Sequence, residues 1–253
     1  MNLRGCWILF RKEVRRFTVV AMQTLLAPVI SALLYLVIFS HVMADRVTMY
    51  DDLSYSSFLV PGLIMMSIIQ NSFGNTSSSL VFSKVTGSIT FVLLGPLSHF
   101  EFFIAFVAAA MLRALLVALA IFVAADLYIG VTVAQPIYVL VFGLLAAATL
   151  ATVGFLAGVW ADKFDHAATF QNFVIMPLSF LSGVFYSIHS LPDLWQTISR
   201  FNPLFYMIDG FRYGFFGQSD VAPGLSVVVM CGALAILGII ALMMLRSGYK
   251  LRT

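Results

Sequence analysis

Long stretches without acidic or basic side chains alternate with short charged segments along the chain. Five gaps hold no Asp, Glu, Lys or Arg, between residues 16 and 45, 52 and 84, 126 and 162, 165 and 193, and 220 and 246. A sixth gap, from Glu101 to Asp126, is interrupted only by Arg113. Their apolar pattern does not alternate as barrel strands do. Since a membrane-crossing helix needs about 20 apolar residues, we expect six spans, over about 20–42, 56–82, 102–125, 136–160, 167–187 and 222–245.

Composition and charge agree with a polytopic, all-α membrane protein. Hydrophobic residues make up 61% of the 253 residues and charged residues 10%, against about 45–50% and 25% in soluble domains. Basic residues gather before the first span, at Lys84 and Lys163, and after the last span. By the positive-inside rule both termini are expected in the cytoplasm. Topology therefore explains the net charge of +3, which gives no indication of nucleic-acid binding.

Residues 3–17 form a basic amphipathic segment ahead of the first span. Apolar side chains recur at helical spacing, opposite several basic ones: Leu3, Trp7, Phe10, Val14 and Phe17. Such a helix is expected to lie in the membrane interface. It could serve only as a topology signal, or it could also contact a cytoplasmic partner.

Polar side chains inside three otherwise apolar spans are the candidates for a translocation path. They are Gln23, Gln70, Asn71, Asn75, Gln171 and Asn172. An amide in hydrocarbon is costly unless it is hydrogen-bonded, so the amides of the second span should face a wet cavity, whereas its serines fit helix packing. Arg113 could have a functional role, or it could form a structural cluster with these amides. The glycines of the fourth span indicate close helix packing.

The cytoplasmic connection after the second span predicts a short amphipathic helix over about 84–96, ended by Pro96. Its apolar residues need a cover, which could be the membrane interface, this protein or a partner with a hydrophobic groove.

The long outer connection, about 190–217, contains "FNPLFYMIDGFRYGFFG". Two short helices around 191–201 and 204–216 are expected to dip into the membrane from outside, separated by Asn202 and Pro203. Gly210 would permit close packing, and Asp209 and Arg212 have the spacing of a helical ion pair. The alternative is an aromatic belt that anchors a loop at the interface.

Motifs for catalysis or nucleotide binding are absent from the sequence. It holds no G-x-x-x-x-G-K-[ST], G-x-S-x-G, H-E-x-x-H or C-x-x-C. The four histidines are scattered among different loops, and the two cysteines form no disulfide or metal motif. We therefore expect no catalytic residue, no metal site and no cofactor bound by this chain.

The arrangement resembles the permease subunits of type-2 ABC exporters, and among them the compact inner-membrane permeases. The resemblance covers the whole chain and rests most on "NPLFYMIDGFRYGFFG", with "VPGLIMMSIIQNSFGN" and "GSITFVLLGPLS". It implies a bacterial inner-membrane complex of two permeases and two separate ATPase subunits, which would bind ATP and Mg.

The resemblance also assigns roles to residues. It implies that a coupling helix, matching Gly87, Leu93, Leu94 and Pro96, sits in a cleft of the ATPase, and that the interface helix docks there too. The path would run between the two permeases, and the outer hairpin would close it; its candidate gate residues are Asn202, Pro203, Tyr206, Asp209, Gly210 and Arg212. Thr90 departs from the family pattern, because an acidic residue often occupies that position, so the salt bridges with the ATPase would differ.

The sequence therefore predicts an exporter permease driven by a partner ATPase. The alternatives are a passive channel or assembly scaffold, which would need no ATPase, and an intramembrane enzyme. An enzyme would need convergent ionisable groups inside the spans, where only Arg113 is available. The substrate does not follow from these residues.

Overall fold

The computed structural model describes residues 2–43 and 54–250, and every regular element in these ranges is helical. The first half contains α1 (Leu3–Thr18), α2 (Ala21–Met43), α3 (Tyr55–Val85), α4 (Ser88–Leu93), α5 (His99–Ile129) and α6 (Pro136–Trp160). The second half contains α7 (Phe164–Phe170), a π-helical segment (Gln171–Ile175), α8 (Met176–Phe180), a 3₁₀ turn (Ile188–Ser190), α9 (Asp193–Arg200), α10 (Pro203–Phe216) and α11 (Pro223–Ser247). The all-α prediction is confirmed for these residues.

Five helices are long and apolar enough to cross a membrane: Ala21–Val42, Tyr55–Val85, His99–Ile129, Pro136–Trp160 and Pro223–Ser247. They correspond to five of the six predicted spans. The segment predicted over 167–187 differs, because its helical run covers 164–180 and ends seven residues early. At 1.5 Å per residue this run is about 25 Å long, short of the roughly 30 Å of a hydrocarbon core.

The chemistry of this shorter run explains its irregularity. Pro177 has no amide hydrogen for the helical ladder, and just before it the Met176 amide donates to the Gln171 carbonyl, the five-residue step of a π-helix. Beyond Phe180 the backbone turns, and Gly183 takes a φ of 81°. Leu181 and Ser182 close the last turn by donating to Pro177 and Ser179. The run therefore ends in a turn that leads to α9 and α10.

The central helix α3 is buried along most of its length and packs most closely against α6. Two glycines of α6 allow the backbones to approach. A Cβ added at Gly154 would lie 2.4 Å from the Phe73 carbonyl oxygen, and one at Gly158 would lie 2.8 Å from the Leu80 Cβ. Gly143 has more room, because a Cβ there would meet its nearest neighbour at 3.6 Å. Close packing is thus observed at two of the three glycines that the sequence singled out.

Gly154→Ala is expected to destabilise the protein by at least about 1–3 kcal/mol, the usual cost of overpacking. The new methyl group would meet backbone atoms of Phe73, which cannot rotate away. Gly143→Ala on the same helix is the matched control, since its methyl group makes ordinary contacts and alanine gains up to about 1 kcal/mol in helix propensity. Thermal unfolding of the two purified variants in detergent measures the difference; equal melting temperatures would contradict this account.

Helix α1 lies against α5 through a face that the sequence pattern only partly predicted. Leu9, Glu13 and Phe17, spaced four residues apart, are the buried side chains. Of the predicted apolar stripe, Leu3 and Trp7 remain 69% and 62% exposed. The helix therefore presents one face to the protein and a second, apolar and basic face outward.

Candidate functional site

Helix α4 forms a short apolar projection at the end of α3. Gly87 makes the turn between the two helices with a φ of 70°, which favours glycine. Ile89 is buried in the core, while Phe91 and Leu94 are 80% and 79% exposed. Leu93 is less exposed, at 39%. The projection is therefore anchored to the bundle through Ile89 and exposes two large apolar side chains, Phe91 and Leu94.

The predicted coupling residues all lie in or beside this projection. Gly87 precedes α4, Leu93 ends it, and Leu94 and Pro96 follow it with exposed surfaces. Lys84, in the last turn of α3, donates to the carbonyl oxygens of Val159 and Ala161 at 2.9 and 2.7 Å, which fastens the base of the projection to the end of α6. Phe91 was not among the predicted residues.

A cavity of about 320 Å³ lies between α2, α3 and Met176 of α8. We call it the amide cavity, because Gln70 and Asn71 are among its lining residues. Asn71 donates to the carbonyl and hydroxyl oxygens of Ser67 at 3.0 and 3.2 Å. Tyr35 also lines the cavity, so amide, hydroxyl and apolar groups meet in one space. Such a mixture suits a solute with both polar and apolar parts.

The other predicted path residues take different positions. Gln171 lies next to the amide-bearing face of α3, since a Cβ at Gly74 would be 3.5 Å from its Oε1 atom. Gln171 and Asn172 begin the π-helical segment, a type of irregularity that is frequent at functional sites. Gln23 on α2 and Asn172 are exposed. The structure therefore brings Gln70, Asn71 and Gln171 onto neighbouring surfaces and leaves Gln23 and Asn172 on the outside.

Asn75 belongs to a buried polar cluster instead of the amide cavity. Arg16 donates to its Oδ1 atom at 2.9 Å, and Arg113 donates to the same atom at 3.2 Å. Glu13 pairs with Arg16, with 3.3 Å between Nε and Oε2, and accepts a hydrogen bond from the Ser79 hydroxyl. Arg113 thus occupies the kind of arginine–amide cluster that the sequence had left as one alternative. The cluster joins α1, α3 and α5.

The segment predicted to form an outer hairpin, α9 and α10, is held to the bundle by Arg212 of α10. Its Nη2 atom donates to the carbonyl oxygens of Gly183 and Val184 at 2.6 and 2.9 Å. The guanidinium carbon also lies 3.8 Å from the ring centroid of Phe58 in α3. Since Arg212 is only 4% exposed, these contacts connect three segments inside the protein.

Asp209 secures the other end of the hairpin. Its carboxylate accepts hydrogen bonds from the amides of Asp220 and Val221, at 2.7 and 3.0 Å. The spacing of Asp209 and Arg212 predicted a helical ion pair, and the structure shows both side chains bound to backbone groups outside α10.

The remaining candidate gate residues lie at the start and middle of α10. Asn202 caps the helix by accepting from Leu204 N, and it donates to Leu178 O and Ser182 Oγ, both at 2.8 Å. Pro203 takes the first helical position, and the Tyr206 hydroxyl donates to the Arg200 carbonyl. At Gly210 an added Cβ would lie 2.2 Å from the Phe142 ring. The predicted separation of two short helices at Asn202 and Pro203 matches the observed bounds of α9 and α10.

Sequence reasoning missed Glu13, Ser79 and Phe91. The signal for Glu13 was its position four residues from both Leu9 and Phe17, which places it on their helical face. In the described ranges no group of three or more histidine, cysteine, aspartate or glutamate side chains could hold a metal ion.

Comparison with known proteins shows the family of this chain. The profile of the ABC-2 type transporter family matches residues 4–216, from α1 to α10. Inner membrane transport permease YadH of Escherichia coli (strain K12) is 37% identical over 219 residues, which cover 87% of this chain and 84% of that protein. The chain belongs to the ABC-2 type transporter family.

Two further relatives are less similar to this chain. Nodulation protein J of Rhizobium leguminosarum bv. viciae is 28% identical over 192 residues, 75% of this chain and 73% of that protein. Putative transport permease ycf38 of Pyropia yezoensis is 27% identical over 197 residues, 75% of this chain and 67% of that protein. This ABC-2 chain is therefore a multi-pass membrane permease of the ABC transporter class, as its sequence predicted.

Proposed function

We propose that this chain is the permease subunit of an ATP-driven exporter, working as two copies with two separate ATPase subunits in a bacterial inner membrane. The observation that carries the proposal is the projection of Phe91 and Leu94 at the end of α3. Exposed apolar patches mark sites of contact with another protein or with the membrane, and we propose that this one contacts the ATPase. ATP and Mg would bind to the partner, and both termini would be cytoplasmic.

Helix α3 supplies a direct mechanical link between the projection and the amide cavity. Asn71 lies fourteen residues before Val85, the last residue of α3, which is about 21 Å along a helix. A displacement of α4 by a closing ATPase would therefore move the amide-bearing stretch of the same helix. We propose that this motion opens the amide cavity toward the outer side.

The exposed polar residues of the predicted path support a second copy of the chain. Gln23 and Asn172 are exposed within otherwise apolar segments, and an amide without a hydrogen-bond partner in hydrocarbon costs roughly 2–7 kcal/mol. A second permease placed against α2 and the π-helical segment would cover these amides. The path would then lie between the copies and include Gln70, Asn71 and Gln171.

The α9–α10 hairpin is the proposed outer gate. It dips part-way into the membrane, and the helical run 164–180, continued by the turn after it, would serve as the sixth membrane crossing. Arg212 and Asp209 hold the hairpin closed through the backbone contacts at Gly183, Val184, Asp220 and Val221.

The proposed function is tested first by whether an ABC ATPase is encoded beside the permease gene, and then by co-expression of the two subunits. We expect an affinity-tagged permease to retain that ATPase through purification and to change its rate of ATP hydrolysis in nanodiscs. A permease that purifies without the ATPase, and conducts solutes in vesicles lacking ATP, would instead support a passive channel.

A further inference from the structure

A second cavity, of about 530 Å³, lies between α3, α5, α6 and α10. It shares no lining residue with the amide cavity. Thirteen of its fourteen lining residues have apolar side chains, and the fourteenth is Gly143. We call it the apolar cavity. Its volume falls within the roughly 300–1,000 Å³ of pockets that hold small molecules.

The occupant of the apolar cavity must be apolar. A bound water molecule needs two to four polar partners, and these lining side chains offer none. The mouth is formed by Leu119 of α5 with Leu140 and Leu144 of α6, which are 58%, 64% and 43% exposed. Both helices are membrane spans of this permease, so their exposed surfaces face lipid. Acyl chains are therefore the medium that surrounds the mouth.

The dimensions and the ends of the apolar cavity suit one such chain. Along α6 it is lined from Pro136 to Leu144, about 12 Å of helix, close to the roughly 15 Å hydrocarbon depth of one leaflet. Beside Pro136, the side-chain amide of Gln135 donates to the Tyr213 hydroxyl. The ring centroids of Tyr138 and Tyr213 lie 4.9 Å apart. Tyrosines are typical of the headgroup level of a membrane.

We propose that the apolar cavity binds one acyl chain of a membrane phospholipid, which enters between α5 and α6 and contacts Phe211 and Phe215 of α10. These two phenylalanines lie on either side of Arg212 along the hairpin helix. The bound chain therefore packs against the helix that carries the candidate gate. The site follows from the lining of the apolar cavity and does not depend on the proposed orientation of the permease in the membrane.

Photochemical labelling tests this site in the full-length chain. The permease is placed in nanodiscs of phosphatidylethanolamine and phosphatidylglycerol with a trace of phosphatidylcholine that carries a diazirine near the end of one acyl chain. After irradiation, mass spectrometry locates the adducts. We expect adducts on Ile68, Phe211 or Phe215, whose exposures of 1%, 3% and 2% put them beyond the reach of lipids on the protein surface.

Two variants narrow the apolar cavity. Ala118→Phe places a ring in it and is expected to abolish the adducts on buried residues while those on exposed Leu127 remain. Gly143→Ala, whose methyl group would lie 3.6 Å from the Phe211 ring without a clash, is expected to reduce them and guards against misfolding of the first variant. Ala124→Phe, on the same helix but outside the lining, should leave all adducts unchanged.

The proposal is overturned by either of two results. One is a wild-type pattern in which adducts occur only on exposed residues such as Leu140 and Leu144. The other is a set of adducts on Ile68, Phe211 or Phe215 that persists unchanged in both Ala118→Phe and Gly143→Ala. Both results are independent of ATPase binding and transport, so they do not depend on the proposed function.

Discussion

Replacing Arg212 with leucine is expected to lower the melting temperature of the purified permease by roughly 10 °C. The variant loses both hydrogen bonds to the carbonyls of Gly183 and Val184, and leaves those acceptors buried. A hydrogen bond to a charged group contributes about 1.5–3 kcal/mol, so the loss is about 3 kcal/mol or more. For a chain of this size each kcal/mol corresponds to roughly 2–4 °C.

Arg200→Leu is the matched control for this experiment. Arg200 lies in the same hairpin, at the end of α9, but its side chain is exposed. Its carbonyl, which accepts from Tyr206, is unaffected by the substitution. The melting temperature of Arg212→Lys should lie between those of Arg212→Leu and Arg200→Leu, because an ammonium group keeps the charge without the planar fork of donors. If Arg212→Leu melted at the same temperature as Arg200→Leu, the anchoring role of Arg212 would be wrong.

The second large effect is expected at the projection, where Leu94→Asp should abolish co-purification of the ATPase. Leu94 is 79% exposed, so the substitution leaves the fold intact, but it would place a carboxylate in an apolar groove of the partner. Hot-spot residues near the centre of an interface cost about 2 kcal/mol or more when they are truncated, which corresponds to roughly 30-fold in Kd. Affinity measured between the purified subunits checks this value.

Thr90→Glu separates the effect of charge from the effect of lost apolar contact. It adds the same charge to the same projection, at the position where the resemblance to type-2 ABC permeases implies an acidic residue. We therefore expect it to retain the ATPase. Loss of binding in Thr90→Glu but not in Leu94→Asp would contradict the proposed apolar contact.

The sequence predicted the spans and short helices well where one local signal decided each boundary. Asn202 and Pro203 begin α10 through capping and backbone chemistry, and the structure places α4, α9 and α10 within a few residues of the expected ranges. Five of the six spans follow in the same way from uninterrupted apolar runs. The run predicted over 167–187 was overextended, because the apolar composition of 181–187 conceals the turn that begins after Phe180 and includes Gly183.

Contacts between distant helices were harder to predict. Asn71 and Asn75 are four residues apart, and their similar directions suggested one shared cavity. Helices α1 and α5 bring Arg16 and Arg113 to Asn75, whereas α2 and Met176 close a cavity around Asn71. This division depends on which helices pack on each side of α3, and the pattern along α3 alone does not contain that information.

Accessibility of position 71 tests the transport account most directly. Cys6 and Cys231 are first replaced with serine, and Asn71→Cys is introduced into the permease reconstituted with its ATPase. A charged, membrane-impermeant thiol reagent is expected to modify Cys at this position at a rate that changes on ATP binding. Ile236→Cys on the exposed, apolar face of α11 should stay unreactive in both states. Equal lack of reaction at both positions, with and without ATP, would contradict a translocation path at the amide cavity.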